Sequence, residues 1–131
     1  EFDHDSIGFN YRMPNLNAAL GCAQMERLDD MLAVKSQLAI RWEAFFGERG
    51  VDFVKSTKGS RSNNWLNAII VNTEENRDEF LKLSNEQGIM TRPIWLLMNT
   101  LPMYKDKQYY SLHNSKWLRD RVVNIPSSVR I

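Results

Sequence analysis

The chain has 131 residues, 43% of them hydrophobic and 25% charged, which is typical of one globular domain and excludes a disordered or fibrous protein. Its 17 basic and 16 acidic residues leave a net charge of +1, so the sequence gives no general attraction to nucleic acid or to an anionic membrane. A single cysteine excludes an intrachain disulfide and a cysteine-rich metal site, and no apolar stretch reaches the roughly 20 residues of a membrane span, so we expect a cytoplasmic setting.

The first distinctive element is the polar stretch from Gly8 to Gly21, which precedes and begins an apolar helical pattern. Pro14 suits the first turn of a helix and Asn15 suits its cap, so we predict a helix that begins near these residues. Polar side chains just before a helix present groups to a ligand in some proteins and only start the helix in others. The local sequence leaves both interpretations open.

The helical pattern continues through residues 15–49, as one long helix or as two in series with Asp29 and Asp30 capping the second. The apolar positions do not keep a strict heptad, which argues against a coiled coil. Gly21, Cys22 and Ala23 make the first part slim. We expect that part to pack closely against something large, with Cys22 as a buried thiol.

A strand–helix–strand unit follows in the middle of the chain. Residues 51–54 form a short strand candidate, 55–64 an exposed loop, and 65–71 the strongest strand, apolar enough to be covered on both faces. Thr73 or Asn72 caps the next helix and Gly88 ends it. Residues 89–92 resume as a strand that Pro93 restricts to an edge or an end. The strands at 65–71 and 89–92 are joined by a helix long enough to let both lie in one sheet, and they need not be neighbours.

The last third of the chain is irregular up to a helix that we predict over residues 115–123. Trp117, Leu118, Arg121 and Val122 have helical spacing, and residues 125–128 read as an extended loop that ends the helix.

No self-contained catalytic arrangement is visible in the sequence. His4 and His113 are the only histidines and neither has the spacing of a zinc site, and there is no GxSxG turn or phosphate-binding glycine loop. Chemistry alone therefore indicates a binding or accessory domain with one unusual polar loop.

That loop carries a resemblance to a known family. His4 with Gly8–Gly21, followed by Gln24 and Leu28, closely resembles the PLP-dependent sugar aminotransferases of the DegT/DnrJ/EryC1/StrS family. Later landmarks extend the resemblance over the whole chain: Thr91–Trp95, Leu101–Tyr104 and Val123–Ser128. The most similar subgroup acts on UDP-linked 4-keto-6-deoxy-N-acetylhexosamines in bacillosamine and legionaminic acid pathways.

The resemblance implies an α/β fold in which long N-terminal helices pack on a short mixed sheet, as in the C-terminal domain of fold type I aminotransferases. Residues 1–14 would connect from a larger PLP-binding domain and residues 15–131 would form the small domain. The lysine that binds PLP would lie in the larger domain, so we expect this chain alone to be inactive. The sequence context of the lysines here, at positions 35, 55, 58 and 82 among others, does not match the family's lysine motif.

The resemblance also implies roles for individual residues. Asn10 and Arg12 would contact the cofactor of the partner subunit in a homodimer, where an amide and a planar guanidinium suit phosphate oxygens. Tyr11, Trp95 and Asn99 would lie near the substrate, a nucleotide-linked keto sugar aminated from glutamate. Many relatives have a histidine near the position of Asn99, which leaves the identity of the sugar open.

Each of these roles has a structural alternative. Asn10 also suits a turn, Arg12 suits an ion pair equally well, and Tyr11 and Trp95 also suit the core. Two other functions also stay open: a non-catalytic α/β module that binds a small ligand, and a PLP-dependent sugar dehydratase of the same family.

Overall fold

The computed structural model describes Gly8 and residues 12–129. Four helices and four strands form the domain: α1 (Asn15–Met25), α2 (Leu28–Gly47), β1 (Asp52–Phe53), β2 (Asn67–Ile70), α3 (Glu74–Glu86), β3 (Arg92–Pro93), α4 (His113–Arg119) and β4 (Val122–Ile125). Two short 3₁₀ turns, Met98–Thr100 and Pro102–Tyr104, lie between β3 and α4. Within the described part of the chain, no helix has both the length and the apolar character required to cross a membrane.

The strands form one sheet in the order β1-β2-β4-β3, and every neighbouring pair is antiparallel. The expected α/β class is confirmed. The expectation of a mixed sheet is wrong, because every hydrogen-bonded pair of strands is antiparallel. β2 and β3 run in the same direction, because both are antiparallel to β4. They are not neighbours because β4 lies between them and pairs with both.

The central strand β4 is the main element that the sequence did not predict. The helix expected over residues 115–123 ends at Arg119, and Val122–Ile125 is extended. Val122, Val123 and Ile125 are buried there, and β-branched side chains fit a covered strand well. The spacing of a short apolar run is compatible with a helix and with a strand. Residues 122–125 form a strand because they pair with β2, which lies far away in the sequence.

The hydrophobic core lies between the sheet and α2. Ile69 and Val123 face each other across β2 and β4 and are fully buried, and Phe46 of α2 covers them. Partly buried side chains extend this core: Trp42, Val51, Phe53, Val71, Phe80 and Leu81. Full burial of one such apolar side chain contributes about 1.5–3 kcal/mol to folding, so this small cluster holds the sheet against the helix.

The long helical stretch is two helices in series, one of the two arrangements predicted. The chain leaves α1 at Glu26, and Arg27 stands at the start of α2 without a side-chain cap bond. Asp29 and Asp30 therefore do not cap the helix but lie in its first turn, where the helix dipole favours acidic groups. None of the residues of α1 is buried.

The thiol of Cys22 is exposed in α1, so the expectation of a buried cysteine is wrong for this chain. The small residues around it leave α1 slim, as predicted, but no described element covers this helix closely enough to bury it.

The ends of α3 agree with the sequence. The Thr73 hydroxyl accepts a hydrogen bond from the amide of Asn76, and Gly88 has a φ of 77°, the left-handed conformation that ends a helix. Inside α3, Arg77 is buried and donates to the carbonyl oxygen of Arg119 at 3.0 Å, which ties α3 to the end of α4.

Candidate functional site

The polar loop at the beginning of the chain is described only in part. Asn10 and Tyr11 lie outside the described residues, whereas Arg12 is described and exposed. An open cavity of about 620 Å³ lies beside Arg12 and is also lined by Met13, Pro14 and Asn17. Asn17 was not among the residues predicted for the site, although it belongs to the same polar stretch.

The beginning of α1 differs from the prediction in one detail that affects this cavity. Pro14, with φ −60° and ψ 148°, precedes the helix at the cap position, and Asn15 is its first residue. Proline offers no side-chain acceptor, and no side chain of the described residues caps the helix there. The first amide groups of α1 therefore keep free hydrogen-bonding capacity, and such a helix end attracts anions.

Arg12 and the start of α1 together suit a phosphate. The guanidinium of Arg12 forms no ion pair within Gly8 and residues 12–129, so the alternative of a structural salt bridge finds no partner there. A planar guanidinium and backbone amides both bind phosphate oxygens well. The described part of the loop therefore fits the phosphate group of a cofactor or substrate, but by itself it does not form a complete cofactor pocket.

Trp95 lies at a second place, just beyond β3. Its ring stacks on that of Trp65, with centroids 6.1 Å apart and planes inclined by 29°. The exposed fractions are 61% for Trp95 and 65% for Trp65, so the alternative of a core role for Trp95 is wrong.

Trp65 was not predicted as a site residue, because it was assigned to a strand covered on both faces. In the structure β2 begins only at Asn67, which leaves Trp65 at the exposed end of the preceding loop. A large aromatic residue directly after a polar loop was the one signal in the sequence that pointed to it.

Asn99 is half-buried in the 3₁₀ turn Met98–Thr100, in the same connection as Trp95. Its Oδ1 atom is buried and accepts no hydrogen bond from the described residues. A buried acceptor without a donor costs about 1–3 kcal/mol. Oδ1 of Asn99 is therefore an unsatisfied acceptor enclosed in the turn, and it is not open to a ligand while the turn keeps this conformation.

Lys35 lies in α2 and has a structural role rather than a chemical one. Its ammonium group donates to the carbonyl oxygens of Asn64 at 3.2 Å, Trp65 at 3.3 Å and Ser127 at 2.6 Å. Desolvation lowers the pKa of Lys35, but these three acceptors use all three hydrogens of its ammonium form. Lys35 is thus a clamp for the backbone next to Trp65 and not a free amine.

The other three lysines named in the sequence analysis also lie on the surface. Lys55 forms an exposed ion pair with Glu43 at 2.6 Å, and this hydrogen bond raises its pKa. Lys58 and Lys82 are exposed on a loop and on α3. None of the four lines the cavity beside Arg12.

The described residues that were predicted for the site therefore lie at two separate places in the chain. Arg12 belongs to the start of α1, and Trp95 and Asn99 belong to the connection after β3. Among the described residues, only side chains from the beginning of α1 and the three residues before it line the cavity of Arg12. Residues 12–129 with Gly8 also contain no group of three histidine, cysteine or acidic side chains that would hold a metal ion.

Comparison with known proteins places the chain in a family. The model of the DegT/DnrJ/EryC1/StrS aminotransferase family matches residues 1–131. The GDP-perosamine synthase of Escherichia coli O157:H7 is 34% identical over 128 residues, a match that covers 97% of this chain and 34% of the relative. EpsN of Bacillus subtilis (strain 168), provisionally described as a pyridoxal phosphate-dependent aminotransferase, is 29% identical over 111 residues, covering 84% of this chain and 29% of its own length.

Solved structures show the same fold. A DegT DnrJ EryC1 StrS aminotransferase from Brucella abortus matches with a TM-score of 0.76 and 22% identity, over 97% of this chain and 34% of that one. Helicobacter pylori PseC, an aminotransferase involved in the biosynthesis of pseudoaminic acid, matches with a TM-score of 0.77 and 17% identity. The match covers 96% of this chain and 35% of PseC. This chain spans about a third of the length of these proteins.

Proposed function

Because this chain belongs to the DegT/DnrJ/EryC1/StrS aminotransferase family, we propose that it is part of a PLP-dependent enzyme that transfers an amino group from glutamate to a nucleotide-linked keto sugar. The observation that carries the proposal is the family match over all 131 residues. A relative named GDP-perosamine synthase supports a nucleotide-linked sugar as the substrate class.

In this proposal residues 15–131 are the small C-terminal domain and residues 1–14 connect it to a larger PLP-binding domain. Support comes from the coverage, since the chain matches about a third of each relative. It also comes from the lysines at positions 35, 55, 58 and 82, which are held in ion pairs and carbonyl contacts or exposed on the surface. In this proposal the lysine that binds PLP belongs to the larger domain.

The residues at the start of α1 would hold the phosphate group of the cofactor. PLP, when bound, supplies an electron sink for the carbon at which the amino group is exchanged. Arg12 would bind and orient phosphate oxygens through its guanidinium, and the uncapped end of α1 would add backbone amides. Asn10 would donate an amide hydrogen to the same group, in the active site of the partner subunit of a homodimer.

The substrate would reach the connection after β3. Asn99 lies in this connection, where its side-chain amide would form a hydrogen bond with a hydroxyl or amide group of the sugar. Trp95 offers an exposed ring face, and Tyr11 would complete this side of the pocket. An amide at position 99 positions a substrate group by hydrogen bonding but does not transfer protons near neutral pH.

The test is a turnover assay of the protein expressed from its complete coding sequence. The protein is incubated with PLP, glutamate and a panel of GDP-, UDP- and dTDP-linked keto sugars, and products are identified by mass spectrometry. We expect an amino sugar and an equal amount of 2-oxoglutarate with at least one substrate.

Two outcomes would contradict the proposal. A deoxygenated sugar formed without consumption of glutamate would identify a dehydratase of the same family. Binding of a small ligand without any turnover would identify a non-catalytic module.

A further inference from the structure

We propose that Trp65 and Trp95 form a stacking platform for the base of the nucleotide, and that the polar cavity next to Trp65, with Arg61, receives its diphosphate. The inference rests on the proposed function, because it assigns the nucleotide part of the same substrate. It adds Trp65 and Arg61, which neither the motifs nor the family match single out.

The first observation is the geometry of the ring pair. The centroid distance of 6.1 Å and the inclination of 29° are those of an offset stack, in which each ring covers only part of the other. More than half of each side chain stays exposed, so the outer ring faces are open to a third planar ring. Bases stack on exposed aromatic side chains in just this manner.

The second observation is that the platform is held in place. The carbonyl oxygen of Trp65 accepts a hydrogen bond from Lys35, and its amide donates to Oδ1 of Asn63 at 3.0 Å. These two hydrogen bonds fix the backbone that carries the ring of Trp65, so less backbone entropy is lost when a base binds.

The third observation is the cavity beside the platform. It measures about 490 Å³, and its lining includes Asn63 and Asn64, the two residues that precede Trp65 in the chain. Seven of its eight lining residues are polar or charged, namely Ser36, Ser56, Ser60, Arg61, Ser62, Asn63 and Asn64, and Leu32 is the apolar exception. No described carboxylate lines it, so the lining is complementary to an anion.

These two features together select the ligand class. An apolar partner would cover the aromatic rings but would make no use of the guanidinium group of Arg61. A free sugar would use the rings but not the cation. A nucleic acid would require a longer basic surface, which a chain of net charge +1 does not supply. A nucleoside diphosphate uses both parts.

The experiment uses the protein expressed from its complete coding sequence and measures binding of GDP, UDP and inorganic pyrophosphate by calorimetry. Replacing Trp65 or Trp95 by Ala is expected to weaken binding of the preferred nucleotide about tenfold and to leave pyrophosphate unaffected. Arg61→Met is expected to weaken binding of both. Trp117→Ala is the control, because Trp117 is also partly exposed, at 44%, but lies on α4.

The outcomes separate this inference from the proposed function. If Trp65→Ala and Trp95→Ala bind nucleotide as Trp117→Ala does, with melting temperatures equal to that of the wild type, the platform is wrong. If the wild type produces an amino sugar and neither substitution changes KM, only the platform fails. If nucleotide binding depends on both tryptophans but no keto sugar is aminated, the platform stands and the proposed reaction fails.

Discussion

The ammonium group of Lys35 lies 2.6 Å from the carbonyl oxygen of Ser127, a residue 92 positions further along the chain. The indole of Trp42, two helical turns later in α2, donates to the carbonyl oxygen of Pro126 at 3.0 Å. α2 therefore holds the segment after β4 at two points. Through the contact of Lys35 with Trp65, the same helix also fixes the end of the loop before β2.

Replacement of Lys35 by Met should show the strength of this clamp. The substitution keeps most of the apolar stem but removes the donor shared by three carbonyl oxygens. We expect a loss of about 1 kcal/mol of unfolding free energy, because these carbonyls regain part of their hydrogen bonding from water. Urea denaturation measures the change. Lys82→Met, on the exposed face of α3, is the control, and equal stability of both variants would contradict the clamp.

Asn67 should be replaceable with a gain in stability. Its side chain is 2% exposed in β2, and neither of its polar atoms has a hydrogen-bond partner among the described residues. Asn67→Val removes this buried polar group and fits a strand, so we expect a gain of about 1 kcal/mol, measured as a higher melting temperature.

A matched substitution on the neighbouring strand provides the control for Asn67. Nδ2 of Asn124 in β4 donates to the carbonyl oxygen of Pro93 at 3.3 Å. Asn124→Val should therefore lower the melting temperature. If Asn67→Val lowers it as well, the amide of Asn67 contributes to stability and our interpretation is wrong.

The pH dependence of folding should change when Glu75 is replaced by Gln. A hydrogen bond from its own backbone amide, helped by the hydroxyl of Thr73, lowers the pKa of Glu75 below its ordinary value of 4.5. A carboxylate whose pKa is lowered on folding stabilises the fold above its ordinary pKa, and this contribution is lost as the pH falls through the folded value.

Thermal melts between pH 3 and pH 7 test the role of Glu75. We expect Glu75→Gln to melt below the wild type at pH 7 and the two curves to converge in acid. Glu79→Gln, on the same helix, is the control. A difference between Glu75→Gln and the wild type that persists unchanged at pH 3 would contradict the assignment.

Asn10→Ala should weaken retention of the cofactor in the protein expressed from its complete coding sequence. Loss of one amide hydrogen bond to a phosphate corresponds to about a fivefold increase in the dissociation constant of PLP. Absorbance of the protein after dialysis against cofactor-free buffer measures the loss. Asn114→Ala, on α4, is the control. An unchanged affinity for PLP would remove Asn10 from the site.

Local sequence determined the ends of several elements and the kind of residues at the site. The cap at Thr73 and the glycine stop at Gly88 depend on residues within a few positions, so patterns in the sequence reveal them, whereas Pro14 and not Asn15 holds the cap position of α1. The polar loop with Arg12 and the landmarks around Trp95 and Asn99 likewise stand in continuous stretches, from which the family follows.

Only the tertiary structure decided the centre of the sheet and the surroundings of the site. Val122–Ile125 became the central strand because it pairs with β2 and β3, which its own spacing does not indicate. The stacking of Trp65 on Trp95 and the contact of Lys35 with Ser127 join residues 30 and 92 positions apart. Such contacts depend on how the chain folds back on itself, and no local propensity encodes them.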